Sequence, residues 1–120
     1  MIPEKESRPV LLVIDDEVEF LETAQMFFRR RGFEVLVADC EKTVFEIVAQ
    51  QSISYILVDY FLGDVDGLSL VTGLRDRVKK VALLTGYASS DVAAQARDLG
   101  FHVFRKPANL DSISTYFLAE

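Results

Sequence analysis

The chain has 120 residues, half of them hydrophobic, a net charge of −6 and a single cysteine. This length fits one domain with a full core, and the negative charge argues against a nucleic-acid surface, which needs a basic footprint. No apolar run approaches the roughly 20 residues of a membrane-spanning helix, and the polar start lacks a signal-peptide apolar region. One cysteine cannot form an internal disulfide, so we expect a cytoplasmic protein. From the charge and the short apolar runs we expect no direct nucleic-acid or membrane partner.

Five short apolar runs alternate with helical patterns after a polar tail at residues 1–9. The first run, Val10–Ile14, is rich in branched residues and apolar on both faces, which is typical of a strand buried on both sides. Strand and helix alternate five times over residues 10–120, which predicts a single α/β domain. We expect a doubly wound, five-stranded parallel sheet with helices on both faces. The later runs are Phe33–Ala38, Tyr55–Val58, Val81–Leu84 and Phe101–Phe104.

The stretches between these runs carry apolar side chains at helical spacing. The first predicted helix face is followed by three arginines and Gly32, which are typical of a helix end. Four further helices are predicted in the same way. The five faces consist of Val18, Leu21, Ala24 and Phe28; Val44, Ile47 and Val48; Leu68, Val71 and Leu74; Val92, Ala93, Ala96 and Leu99; and Leu110, Ile113 and Phe117.

Polar side chains follow four of the five predicted strands, at the point where each strand ends. Since ligand sites in open parallel sheets lie beyond the carboxyl ends of the strands, we expect these side chains to converge on one edge. The second strand ends without such a set, which indicates a peripheral position. The converging residues are Asp15, Asp16 and Glu17 after the first strand, Asp59 after the third, Thr85 after the fourth, and Lys106 with Pro107 after the fifth.

The acidic members of this set indicate a site for a cation and for phosphoryl transfer. Neighbouring carboxylates repel each other unless water or a cation lies among them. Asp15, Asp16 and Asp59 offer hard oxygen ligands, which suit Mg²⁺, or Mn²⁺ in its place, rather than zinc. A carboxylate can also act as the nucleophile that forms an aspartyl phosphate. Asp59 is the best candidate because it ends the central strand, and Lys106 and Thr85 suit the phosphoryl oxygens.

Four segments, VIDDE, ILVDYFLGDVDG, LLTGY and RKPA, occur in this order. Together they resemble the receiver domain of two-component response regulators over nearly the whole chain. The resemblance implies the flavodoxin-like fold with strand order 2-1-3-4-5. It also implies that Asp59 accepts a phosphoryl group from a phosphohistidine of a partner histidine kinase or histidine phosphotransfer protein. Asp16 and Asp59 would ligate Mg²⁺ directly, Asp15 mainly through water, and Phe61 through its backbone carbonyl.

The same resemblance assigns roles to residues around the candidate nucleophile. It implies that Thr85 and Lys106 bind the phosphoryl oxygens, that Gly67 shapes the loop after the third strand, and that the Lys106–Pro107 peptide bond is cis, an isomer that is accessible at X-Pro bonds.

The sequence departs from the family pattern at positions near this site. Receivers usually carry Tyr or Phe where Val103 stands, and Phe104 should point to the opposite side of the strand. Phe61 and Tyr87 stand where many receivers carry polar side chains. We therefore expect any switch to involve the loop after Thr85 and the following helix rather than an aromatic ring at position 103.

Three classes of function are compatible with the sequence. The expected one is a phosphorylatable signalling switch that catalyses only its own phosphorylation and dephosphorylation, and that regulates an output domain or effector protein not included in this chain. A pseudo-receiver that never takes phosphate is disfavoured by the intact acidic pair, Asp59, Thr85 and Lys106. A Mg²⁺-dependent phosphohydrolase would need a second general acid and a substrate pocket, and the sequence indicates neither.

Overall fold

The protein forms a five-stranded parallel sheet, as seen in a computed structural model that describes residues 8–86 and 90–119. The order within the sheet is β2-β1-β3-β6-β7. This is the predicted order 2-1-3-4-5 when a small separate hairpin, β4–β5, is left out of the count. The strands are β1 (Val10–Ile14), β2 (Glu34–Ala38), β3 (Tyr55–Asp59), β4 (Phe61–Leu62), β5 (Val65–Asp66), β6 (Lys80–Thr85) and β7 (His102–Arg105).

Helices cover both faces of the sheet. The first and fifth helices pack on one face, in a core that contains Phe28 and Phe117. The second, third and fourth pack on the other face, in a core that contains Val44, Val71 and Ala96. Among the residues that the structure describes, none of the helices has the length and apolarity that a membrane crossing requires. The helices are α1 (Val18–Arg30), α2 (Glu41–Gln50), α3 (Gly67–Thr72), α4 (Ser90–Asp98) and α5 (Leu110–Leu118).

Three predicted helix faces differ from the observed ones at their ends. Leu99, predicted on the fourth face, lies one residue beyond α4, which ends at Asp98. Val18 opens α1 and is 60% exposed, so the buried face of this helix begins one turn later, at Leu21. Leu74 is buried but lies outside α3, which ends at Thr72. Gly73 follows directly, and glycine is a poor helix former because its backbone loses the most freedom on folding.

The central strand, β3, is buried along its full length. Successive side chains alternate between the two faces, with Ile56 and Val58 in one core and Tyr55 and Leu57 in the other. Asp59 continues this strand as its last residue. Its carboxylate is therefore attached to the most completely packed part of the sheet, and its position is fixed by apolar packing on both sides.

The short hairpin directly after β3 was not predicted from the sequence. Phe61 pairs with Asp66 and Leu62 with Val65, which leaves a two-residue turn of Gly63 and Asp64. Gly63 has a φ of 71°, whereas Asp64 does not have a positive φ, a pattern typical of a type II′ turn. Strands of two residues are too short to show an alternating pattern in a sequence.

Candidate functional site

The carboxyl edge of the sheet holds three buried polar side chains close to one lysine. Asp15, Asp59 and Thr85 are each at most 3% exposed, and they follow or end the adjacent strands β1, β3 and β6. The backbone N–H of Lys106 donates to the carbonyl oxygen of Thr85 at 2.9 Å. This bond joins the residue after β7 to the end of β6, so that four predicted site residues share one edge.

Both carboxylate oxygens of Asp59 accept hydrogen bonds. Oδ1 accepts from the backbone N–H of Phe61 at 3.1 Å, and Oδ2 accepts from Nζ of Lys106 at 2.7 Å. Partial burial lowers the pKa of Lys106, but the hydrogen bond and charge of Asp59 outweigh it, and the net pKa is raised above 10.5. The ammonium group therefore stays protonated beside the carboxylate at neutral pH.

Asp15 is the second buried carboxylate of the site. Burial is the main cause that raises its pKa from 3.8 to about 6, and the charge of Asp59 acts in the same direction. A hydrogen bond from the backbone N–H of Glu17 to Oδ1 of Asp15, at 2.9 Å, lowers the pKa and opposes this shift. Two buried carboxylates thus share one ammonium group, which leaves excess negative charge for a cation to offset.

Three carboxylates approach each other closely enough to hold one metal ion. One oxygen each from Asp15, Glu17 and Asp59 lie within 4.8 Å of one another. These are hard oxygen donors without sulfur or imidazole, so the donor set fits Mg²⁺ or a similar hard cation. Asp16 is exposed at the same edge but does not belong to this group of three. Glu17 was not among the predicted ligands, although it is the third acid of the run that follows β1.

Gly67 occupies a position where no side chain fits. A Cβ atom there would lie 2.0 Å from the backbone oxygen of Asp59 and 2.8 Å from a methyl group of Val58. The N–H of Gly67 donates to the carbonyl oxygen of Tyr60 at 2.6 Å. The glycine therefore lets the start of α3 pack directly on the backbone that carries Asp59, which agrees with a role in shaping this loop.

Comparison with known proteins places the whole fold in one family. The response regulator receiver domain profile matches residues 11–117, which is nearly the entire chain. The chain belongs to the receiver domain family. The resemblance inferred from VIDDE, LLTGY and the other segments is thereby confirmed at the level of the family and of a signalling domain.

Curated relatives of this receiver domain are longer regulatory proteins. The photosynthetic apparatus regulatory protein RegA of Rhodobacter capsulatus is 31% identical over 113 residues, which cover 92% of this chain and 61% of RegA. The response regulator protein PilR of Pseudomonas aeruginosa is 33% identical over 107 residues, which cover 87% of this chain and 24% of PilR. The chain thus spans less than two thirds of these relatives.

Solved structures of similar shape include a response regulator from Burkholderia pseudomallei with a phosphorylated aspartic acid, a calcium ion and citrate. It is 34% identical, has a TM-score of 0.82, and the match covers 92% of this chain and 67% of that one. The chemotaxis protein CheY4 of Vibrio cholerae is 16% identical with a TM-score of 0.81, covering 92% of this chain and 96% of that one, and supports the fold alone.

The departures from the usual receiver pattern occupy definite places in the structure. Val103 packs toward the core of α2, α3 and α4, whereas Phe104 packs toward the core of α1 and α5, as predicted. The Lys106–Pro107 bond is cis, which confirms that expectation. Phe61 is 63% exposed. Tyr87, the other residue expected to border the site, lies outside the described residues.

Proposed function

We propose that this receiver domain accepts a phosphoryl group on Asp59 from a phosphohistidine of a partner histidine kinase or histidine phosphotransfer protein. The observation that carries the proposal is the position of Asp59. It is a buried carboxylate that ends the central strand, lies 2.7 Å from a lysine ammonium group and shares a carboxylate cluster suited to a cation.

In the proposed reaction an oxygen of Asp59 attacks phosphorus while the phosphorus–nitrogen bond to the donor breaks. The departing imidazole nitrogen keeps the electron pair of that bond and is then protonated. Lys106 offsets negative charge on the transferred group, and Thr85 supplies a hydroxyl donor. Catalysis of this kind depends mostly on positioning and charge stabilisation.

Asp15, Asp16, Asp59 and the backbone carbonyl of Phe61 are the proposed ligands of Mg²⁺, or of Mn²⁺ in its place. The structure adds Glu17 as a further candidate, because its carboxylate lies near those of Asp15 and Asp59. When bound, the cation neutralises charge on the phosphoryl oxygens.

We assign residues 10–120 to the receiver domain and residues 1–9 to a polar tail. The domain acts as a cytoplasmic switch, and the only reactions it catalyses are its own phosphorylation and dephosphorylation. The greater length of the relatives supports an output domain or effector protein as the regulated partner.

The test compares the wild type with Asp59→Asn in acetyl phosphate and Mg²⁺, using intact-protein mass spectrometry. We expect the wild type to gain one phosphoryl group and Asp59→Asn to gain none, because no other group replaces the nucleophile. Asp64→Asn, an exposed acid in the neighbouring hairpin, is the matched control and should behave as wild type. Phosphorylation of Asp59→Asn at the normal rate would refute the assignment.

Two further measurements separate the other classes of function. A pseudo-receiver would form no stoichiometric complex with beryllofluoride and Mg²⁺. A phosphohydrolase would turn over a phosphate ester repeatedly, whereas the proposed switch should not.

A further inference from the structure

The edge of the sheet opposite to the candidate site, where the strands begin, carries a groove made of three adjoining cavities. Their volumes are about 440, 290 and 200 Å³. Gln51 lines both the first and the second cavity, and Val78 lines both the second and the third. The three cavities therefore lie side by side along the starts of the strands from β2 to β7, and together we name them the amino-edge groove.

Positive charge is concentrated along this groove. Six cationic side chains line it, against only two acidic ones, Glu34 and Asp76, although the whole chain carries a net charge of −6. Acidic side chains are correspondingly concentrated elsewhere, including the carboxyl edge. The six cationic residues are Arg8, Arg29, Arg75, Arg77, Lys79 and Lys80.

Part of this charge serves the fold itself, because cations near helix C-termini satisfy the last carbonyl groups. Arg77 donates to the carbonyl oxygen of Val48 at 3.2 Å, and Lys80 donates to that of Tyr116 at 2.6 Å. These two side chains hold α2 and α5 in place.

Three other cationic side chains of the groove donate to no such carbonyl group within the described part of the chain. The side chains of Arg8, Arg29 and Lys79 are exposed, and within residues 8–86 and 90–119 none of them has a hydrogen-bond or ion-pair partner. They are consequently available to an external anionic group without a loss of internal contacts.

Apolar side chains also line each cavity of the groove, which has the length of a short peptide. Leu36, Val78 and Leu99 are half-buried, and each of the three cavities contains at least one of them. Five adjacent strands have starting points that span four strand spacings, or about 19 Å, which about six residues in extended conformation would bridge.

We propose that the amino-edge groove binds an extended acidic segment of a partner protein with apolar side chains at alternate positions. In an extended segment alternate side chains point in opposite directions, so apolar groups can enter the cavities while carboxylates reach Arg8, Arg29 and Lys79. A nucleic acid fits this surface less well, since a longer polyanion would also meet the acidic remainder of the molecule.

The binding test uses fluorescein-labelled octapeptides and fluorescence anisotropy at an ionic strength of about 0.1 M, where the Debye length is about 10 Å. A peptide of alternating Glu and Leu should bind the wild type. One of alternating Glu and Ser should bind at least about tenfold more weakly, because loss of a single buried leucine contact suffices for that factor. One of alternating Lys and Leu should not compete with the Glu–Leu peptide for the groove.

A pair of charge-matched variants tests the location. Arg29→Glu/Lys79→Glu should weaken binding of the Glu–Leu peptide at least about tenfold, since it turns attraction into repulsion. The control is Lys42→Glu/Arg105→Glu, which changes the net charge equally at exposed positions that line none of the three cavities. It should weaken binding no more than about threefold, because distant charges are screened. Circular dichroism checks that both variants are folded.

Several results would overturn the proposal. These are absence of Glu–Leu binding at millimolar protein, equal losses in the two variants, or tighter binding of a single-stranded octanucleotide than of the peptide. Sedimentation of the wild-type protein can give a further result that would overturn the proposal. If it self-associates at low salt and the groove variant does not, a second copy occupies the groove instead of an acidic segment.

Discussion

Among the residues that the structure describes, Asp15 carries the largest electrostatic cost to the fold when no cation is bound. Its pKa rises from 3.8 to about 6 on folding, so between these values the folded state holds more protons than the unfolded state. Stability then falls as pH rises through this window and stays lower above it. The cost is at most about 3 kcal/mol, since a tenfold change in proton affinity corresponds to about 1.4 kcal/mol.

The first prediction removes this charge. Without divalent cations, we expect Asp15→Asn to be more stable than the wild type at pH 7.5, by roughly 1–3 kcal/mol, and the difference to vanish as the pH falls below the unfolded-state pKa of 3.8. Asparagine keeps an oxygen for the Glu17 N–H. Urea unfolding in a chelator measures both proteins. Asp16→Asn, at an exposed position, is the control and should change stability by less than about 0.5 kcal/mol.

The second prediction concerns the lifetime of phosphate on Asp59. Phe61 lies two residues away, its N–H bonds to Asp59 Oδ1, and its exposed ring packs edge-on against Tyr60, with the centroids 4.9 Å apart. An apolar ring cannot hold a water for hydrolysis, so we expect slow loss of phosphate. Phe61→Asn should decay faster, from several-fold up to about 10²-fold, the low end of general-base effects.

The measurement is the decay of phosphorylated protein with Mg²⁺ present. Phe61→Leu keeps an apolar side chain and serves as the control, with a decay rate expected near that of wild type. Equal or slower decay in Phe61→Asn would show that the ring does not control access of water.

At the scale of elements, the helices differ in how firmly they are held. The side chain of Asp66 caps α3 by accepting from the N–H of Ser69, and that of Asn109 caps α5 by accepting from the N–H of Ser112, contacts worth about 1 kcal/mol each. By contrast, Ala96 is the only fully buried side chain among the described residues of α4. A helix held by little apolar contact is the element that a small change in free energy can displace.

The third prediction follows from this contrast. Val103 has a stiff torsion and no ring to move, so phosphorylation should bias α4 through the phosphoryl contact of Thr85 instead. Chemical shifts should change along residues 85–99 when beryllofluoride and Mg²⁺ are added. The core around Phe28 and Phe117 should change little and is the internal control. Changes confined to the residues next to the phosphoryl group would contradict this mechanism.

For the molecule as a whole, the sequence predicted the sheet well because its three central strands, β1, β3 and β6, are buried on both faces. Val10–Ile14 shows this directly, since a short run that is apolar at every position is typical of a strand between two layers of helices. The same reasoning predicted the edge at which Asp15, Asp59, Thr85 and Lys106 meet. It did not predict the hairpin after β3, since a two-residue strand has no pattern.

Side-chain reach is a second limit on inference from sequence. Spacing places Asp15, Asp16 and Glu17 after the same strand, but the path of the backbone determines which carboxylates turn toward Asp59. In the structure Glu17 lies in the close group with Asp15 and Asp59, whereas the resemblance to the family favoured Asp16. A resemblance to a family assigns roles to sequence positions. It does not show which of the neighbouring carboxylates lies close to that of Asp59.

The fourth prediction joins the site to the stability of the whole sheet. The carboxylates come from the ends of β1 and β3, two adjacent strands at the centre of the sheet, so a bound cation would connect these two strands. At ten times its dissociation constant, Mg²⁺ should stabilise the fold by about 1.4 kcal/mol, which corresponds to a rise in Tm of about 5 °C for a domain of this size. Differential scanning calorimetry with and without Mg²⁺ measures this effect. Asp59→Asn, which lacks a proposed ligand charge, should show a clearly smaller rise, and Asp64→Asn in the hairpin should match the wild type. An equal rise in all three proteins would mean that the cation stabilises the chain from a site other than the cluster around Asp59.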